Sequence, residues 1–318
     1  MFGTFRIFRT FRQRGWAPGE ETRYTPPVDA RTAGGILVRR VSFEYPADLE
    51  PHWNPARPEW SQVVNACSLL MPYLEPYLIE SIREGMAQIR DPALSAEAKA
   101  YCGQEAHHFK QHRRFNDLLL AHGYEALKGY EQTLEQDYAR FQRDRPLAFH
   151  LAYAAGFETM ALAIGHMLIR MRAFFFRDAD PAVSSLVLWH FVEELEHKHA
   201  AFDVYQHVVG RWGLRVRGLV FAMWHTMSRS RQAYIMLLRR DGLWGTWRTR
   251  LRLKLLMLRI FGYLTPWILE SMLPWHRPSR FRDPRWAEEW VRLWDAGEER
   301  LVRLDTRRIS LSPAEMLP

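Results

Sequence analysis

The stretch HFVEELEHKH, residues 190–199, sets three glutamates and three histidines within ten consecutive positions. Successive residues of an α-helix turn by about 100°, so His190, Glu194 and His197 fall within an arc of about 60° and share one face. The rest of that circumference is apolar, with Leu186, Trp189, Val192, Leu195, Phe202 and Tyr205 on the flanks. Such a helix is expected to be buried. Ionisable groups buried together are costly unless they pair or coordinate a metal. Whatever fold the chain adopts must therefore bring other charges, or a cation, to this face.

A second stretch makes the same demand. In GQEAHHFKQH, Glu105, His108 and His112 are spaced by three and four and again share a face. A single Glu-x-x-His arises easily by chance, but two on separate helices, each extended by a further histidine, define a pattern. Two divalent cations would require about four carboxylates alongside the imidazoles, so two other helices should each supply one inward carboxylate. Glu158 lies alone in the apolar run LAFHLAYAAGFETMALAIGHMLI, residues 147–169, where a buried carboxylate without a cation would be protonated. In the first helix Glu75 and Glu80 both qualify, and Glu75 is taken as the ligand; Glu84 falls beside Arg83 near the helix end. The expected metal ligands are thus Glu75, Glu105, His108, Glu158, Glu194 and His197, with His190 either joining them or orienting one. Glu105 and Glu194 are assigned the bridging and catalytic positions. Glu193, Glu196, His107 and His199 point elsewhere and are expected to support the ligands or meet solvent. Phe157, Met160 and Phe191 are placed beside a substrate by helical phase.

The ligand order Glu, Glu-x-x-His, Glu, Glu-x-x-His predicts an all-α protein, a ferritin-like four-helix bundle with additional C-terminal amphipathic helices. Residues 1–58 read as an irregular basic leader in which only GILVRRVSFEY, residues 35–45, is strand-like. Four long helices are expected to cover 59–210: one disturbed by Pro72 and Pro76, one from Pro92 to Gly123, the apolar helix after Pro146, and the HFVEELEHKH helix after Pro181. A polar segment from 130 to 143 is expected to be partly helical. Residues 147–169 are long enough to span a bilayer, but Glu158 at their middle favours the buried central helix of a bundle. Residues 211–318 form a basic, Trp-rich helical extension, with an amphipathic helix from about 284.

Charge is unevenly distributed. Residues 211–260 hold twelve Arg or Lys against the single acid Asp241, more than the net +8 of the whole chain, so the remainder is net negative. These cations alternate with Leu, Trp, Met and Phe, which is too apolar for a phosphate-tracking surface. An anionic membrane surface is the expected partner and nucleic acid is not. Two cysteines, Cys67 and Cys102, both in helix-like sequence, make no disulfide framework, and no signal peptide is visible; a cytoplasmic, membrane-associated location is the expectation.

With these residues in hand, the chain resembles the family described as predicted metal-dependent hydrolases, whose members are similar to ferritin-like dinuclear proteins. The resemblance covers about residues 35–285 and is carried by MPYLEPYLIESIR, GQEAHHFKQHRRFN, Glu158 after Gly156, HFVEELEHKHAAFDVY and LPWHRP. The His190, Glu194, His197 spacing is also similar to that of di-iron arylamine N-oxygenases, where the resemblance implies an additional histidine ligand. Two activities are then expected. In the first, two iron ions, supplied by an electron donor, activate dioxygen to oxidise an apolar or lipid-like substrate. In the second, which the hydrolase resemblance implies, a two-metal centre activates water. Manganese or zinc suits the same ligands as iron. A metal-holding helical protein without catalysis is the third expectation.

Overall fold

Long helices punctuated by prolines at their first turns set the architecture. The computed structural model describes residues 35–46, 48–124 and 127–318, so most of the basic leader, residues 1–34, lies outside the described residues. Among the described residues the protein is all-α, with no strand. The helices are α1 (Pro58–Ser68), α2 (Met71–Met86), α3 (Pro92–Ala121), α4 (Leu127–Asp144), α5 (Leu147–Arg170), α6 (Arg172–Phe176), α7 (Pro181–Glu196), α8 (Ala200–Val208), α9 (Trp212–Arg240), α10 (Trp247–Ser271) and α11 (Arg285–Asp295).

Their ends follow local chemistry. Asp91 caps α3 by accepting from Ala93 N at 2.9 Å, and Asp180 caps α7 by accepting from Ala182 N and Val183 N; each aspartate precedes a proline at the first helical position. Gly123, at φ +82°, stops α3 in a conformation that disfavours other residues. The first helix is disturbed at its prolines, as expected: the chain divides into α1 and α2 at Leu69–Leu70, Pro72 sits in the first turn of α2, where its missing N–H costs nothing, and Pro76 lies inside α2.

The strand-like segment 35–45 is extended but pairs with no strand. Its backbone is satisfied by glutamine side chains of α3: Gln104 Nε2 donates to Leu37 O at 2.9 Å, and Gln111 Nε2 donates to Val41 O at 2.8 Å. Gly103 permits the close approach, since a Cβ there would lie 2.7 Å from Val38 Cγ2. Ile36, Arg39, Val41 and Phe43 turn inward.

The apolar helix α5 is the hub, touching α2, α7, α8, α9 and α10. It is long and apolar enough to cross a membrane by length and composition, yet 78% of its most apolar window is buried by the chain's own elements. Its tightest neighbour is α9. A Cβ on Gly156 would lie 2.6 Å from Leu219 N, and one on Gly218 would lie 2.2 Å from Ala152 O, so the two backbones touch where they cross. The expected single helix through 181–210 is instead α7 and α8, separated by a turn at His197–His199. The polar segment is helical throughout as α4, and the amphipathic C-terminal helix is α11, which buries Trp286, Ala287 and Trp290.

Candidate metal centre

Four helices deliver carboxylates to one interior. Glu75 comes from α2, Glu105 from α3, Glu158 from α5 and Glu194 from α7, and none is more than 3% exposed. Glu80 and Glu84 are exposed. The nitrogen donors are His108 and His112 on α3, His190 on α7, and His197 at the end of α7, where the break in the helix aims its ring back at the carboxylates. His197 Nε2 lies 3.1 Å from Glu194 Oε2 and 3.3 Å from both Glu105 Oε1 and Glu158 Oε2. His108 Nδ1 lies 3.6 Å from Glu105 Oε1 and 3.8 Å from Glu194 Oε1. His190 Nε2 lies 3.3 Å from Glu194 Oε1.

These donors fall into overlapping sets whose atoms lie within 4.8 Å of one another. One set is Glu105, Glu158, Glu194 and His197; others are Glu75, Glu105 and His108; His108, His190 and Glu194; and Glu75, His112 and His190. Glu75, Glu105 and Glu194 each belong to two sets, as do His108 and His190. Both oxygens of Glu75 and of Glu105, Oε2 of Glu158 and Nδ1 of His108 are buried without a hydrogen-bond partner. Buried polar atoms are nearly always satisfied. So many bare acceptors facing one another fit a cation, and hard carboxylates with imidazole are the donor chemistry that iron, manganese or zinc accepts.

Surrounding groups aim these donors. Gln104 Nε2 donates to Leu37 O and, at 3.1 Å, to Glu196 Oε2, which turns Gln104 Oε1 toward His197; Nδ1–H of His197 donates to that oxygen at 2.9 Å and Nε2 faces the carboxylates. His108 Nε2–H donates to Glu193 Oε2 at 3.0 Å, freeing Nδ1. Glu193 is in turn held by Arg39 NH1 at 3.0 Å, and Arg39 also binds Glu196, with NH2 at 2.7 Å from Oε1. A chain of donors runs the other way. Ser68 Oγ donates to Asn116 Oδ1 at 2.7 Å and accepts from His112 Nδ1; His112 Nε2 accepts from His190 Nδ1 at 3.2 Å, so His190 presents Nε2. Tyr101 OH donates to Glu158 Oε1 at 2.7 Å and leaves Oε2 bare.

Burial, reinforced by the neighbouring carboxylates, pushes Glu75 and Glu158 well above the usual carboxylate range. Burial acts the same way on Glu194, but the His197 charge and the hydrogen bonds from His190 and His197 outweigh it and hold that group well below. Burial would lower His108, yet the adjacent Glu105 carboxylate and the hydrogen-bonded Glu193 raise it to about 9. His112 and His190 are lowered, first by burial and then by the adjacent imidazoles. Without a cation the site must hold protons in its place.

All seven residues expected as ligands meet here. Glu193 and Glu196 sit behind them, while His107 and His199 are half-buried at the margin. Phe191 packs its ring 5.0 Å from that of His190; Phe157 and Met160 are buried in α5. Surface clefts lined by Arg211, Gly213, Leu214 and Arg217, and by residues around Arg172 and Trp286, include no residue of the site. His150 and His166, also on α5, serve other contacts: His150 Nδ1 meets Tyr77 OH at 2.9 Å, and His166 lies against the Trp267 ring. The LPWHRP histidine, His276, bonds Glu270 at 2.8 Å. Arg39, Tyr101, Gln104 and the Ser68–Asn116 pair were not anticipated. Tyr101 alone carried a signal, one helical turn before Glu105.

No curated protein and no solved structure shows a significant match to the chain. The family model described as predicted metal-dependent hydrolase matches residues 37–281, spanning Arg39, every donor above and His276, and the chain belongs to that family.

Proposed function

We propose that the chain is a metal-dependent hydrolase in which α2, α3, α5 and α7 act as a ferritin-like four-helix bundle, with residues 211–318 as a helical extension, around two divalent cations. The observation that carries the proposal is the convergence of four buried, largely unsatisfied carboxylates with imidazoles, three of the carboxylates shared between donor sets. Four carboxylate charges match two divalent cations. Glu158 and His197 would hold one ion, Glu75 and His108 the other, and Glu105 and Glu194 would bridge. Such a pair, when bound, supplies Lewis acidity and a water of lowered pKa for attack on an ester or phosphoester. The protein's own groups fix the donors. Gln104 and Glu193 set the tautomers of His197 and His108, and Tyr101 keeps one oxygen of Glu158 from rotating. His190 and His112, at 5% and 6% exposure, are the least covered members of the site, so substrate and water would approach from that end.

A second reading rests on His190. Its Nε2 lies within 3.3 Å of Glu194, and an additional imidazole in the donor set suits a di-iron centre that activates dioxygen with an electron donor and oxidises an apolar substrate. Metal analysis and two assays separate the readings. Hydrolysis predicts two zinc or manganese ions per chain and turnover of model esters or phosphoesters that is lost with chelator and restored by metal. The oxygenase reading predicts a ferric absorption band that bleaches on reduction and returns in air. Glu158→Ala and Glu105→Ala should abolish the two-ion stoichiometry; full metal content in either variant would refute both.

A further inference from the structure

The basic segment exposes Trp212, Val220, Trp224 and Met227 on α9, and α10 carries a longer apolar stripe along one of its faces. Trp247, Leu251, Leu255, Leu258 and Leu269 recur at intervals of three, four and eleven, the longest gap being filled by exposed Gly262 and Thr265. At about 100° per residue they fall within an arc of about 80°, running the length of a helix about 37 Å long. Leu253, Leu256, Leu264, Ile268 and Ser271 occupy the opposite face and are buried against the protein. The outward stripe is open: Trp247 is 69% exposed, Leu255 56%, Leu258 59% and Leu269 58%.

Cations edge this stripe on both sides. By the same helical geometry Arg250 and Lys254 flank one margin and Arg248, Arg252 and Arg259 the other, all exposed. The only acid in α10 is Glu270 at its end, bound to His276 and to Arg280 at 2.8 Å. Indoles stand at both ends. Trp247 opens the helix, and Trp212, 52% exposed, donates from Nε1 to Met272 O at 2.8 Å just beyond its last turn.

We propose that α10 lays this stripe into the interface of an anionic lipid bilayer, with leucines among the acyl chains, arginines and Lys254 at the phosphates, and tryptophans at headgroup level. An apolar stripe of this length is unusual on a surface that meets only water. A second copy of the chain fits it poorly, because a symmetric contact would oppose cationic margins. A nucleic acid would meet leucine where it needs charge.

Sedimentation of the full chain with phosphatidylcholine vesicles, with and without phosphatidylserine, tests this. Binding should require the anionic lipid and weaken as salt rises. Leu255→Glu with Leu258→Glu, and separately Arg248→Glu with Lys254→Glu, should each weaken partitioning about tenfold or more. Circular dichroism and melting should stay at the wild-type values in both, since all four side chains are exposed. Four results would overturn the proposal: no vesicle binding, equal binding to neutral lipid, self-association that the leucine variant abolishes, or duplex DNA binding that the leucine variant leaves intact.

Discussion

Glu158 joins sequence to chemistry most directly: an isolated carboxylate in an apolar helix, one oxygen taken by Tyr101 and the other bare. Burial first, and Glu194 next, raise it; burial first, and Glu105 next, raise Glu75. A metal must therefore displace protons. Raised carboxylates are protonated at a pH where free ones are not, so metal affinity should climb as pH rises above the usual carboxylate range, with net proton release on loading. Calorimetric titration in buffers of different ionisation enthalpy checks this, and Glu158→Gln should release fewer protons; pH-independent loading would contradict it. Arg39 acts one step further back. Its guanidinium and the Glu193 carboxylate are both fully buried, and Glu193 orients His108. Arg39→Met should weaken metal binding about 10- to 100-fold, measured by competition with a coloured chelator, because the carboxylate behind His108 loses its anchor. Unchanged affinity would reduce Arg39 to a packing role.

At the level of elements, the α5–α9 crossing decides whether Glu158 arrives where it does. Alanine normally improves on glycine in a helix by roughly 0.5–1 kcal/mol. At Gly218 the sign should reverse, since the new methyl group would press on the Ala152 backbone, which cannot rotate away; Gly218→Ala should cost about 1–3 kcal/mol in denaturant unfolding. Gly262→Ala, with nothing within 4 Å of its Cβ position, should stabilise instead. The same elements show how far sequence reading reaches. The Glu-x-x-His pairs on α3 and α7 and the lone glutamate of α5 were legible because helical periodicity alone puts them on one face. The break at His197 was not, because nothing local stops the helix there: the ring is held by Gln104, 93 positions away. Nor was the role of residues 35–45. Alternating apolar residues describe a strand equally well, and only the glutamines of α3 and the missing Cβ of Gly103 decide that this segment crosses a helix and carries Arg39 inward.

For the whole molecule, four helices distant in sequence are tied to one charged interior, so the proposed ions would be a folding term as well as a chemical one. Without cations, protons on Glu75 and Glu158 and ion pairs between Glu194 and His197 keep the interior tolerable, at the cost of bare acceptors that no protein donor reaches. With cations those acceptors are ligands. An ion that binds the native chain and not the unfolded one adds about 2.7 kcal/mol at a free concentration a hundredfold above its Kd. For a chain of this size that amounts to a rise in Tm of about 4 °C for each ion. Chelator should therefore lower the melting temperature of the metal-loaded protein by that amount, and added metal should restore it. Glu105→Ala removes a carboxylate shared by two of the donor sets, so its melting temperature should respond to neither addition. A wild-type melting curve indifferent to chelator and metal would mean that these four helices close without the ions, and that their carboxylates face one another for a reason other than coordination.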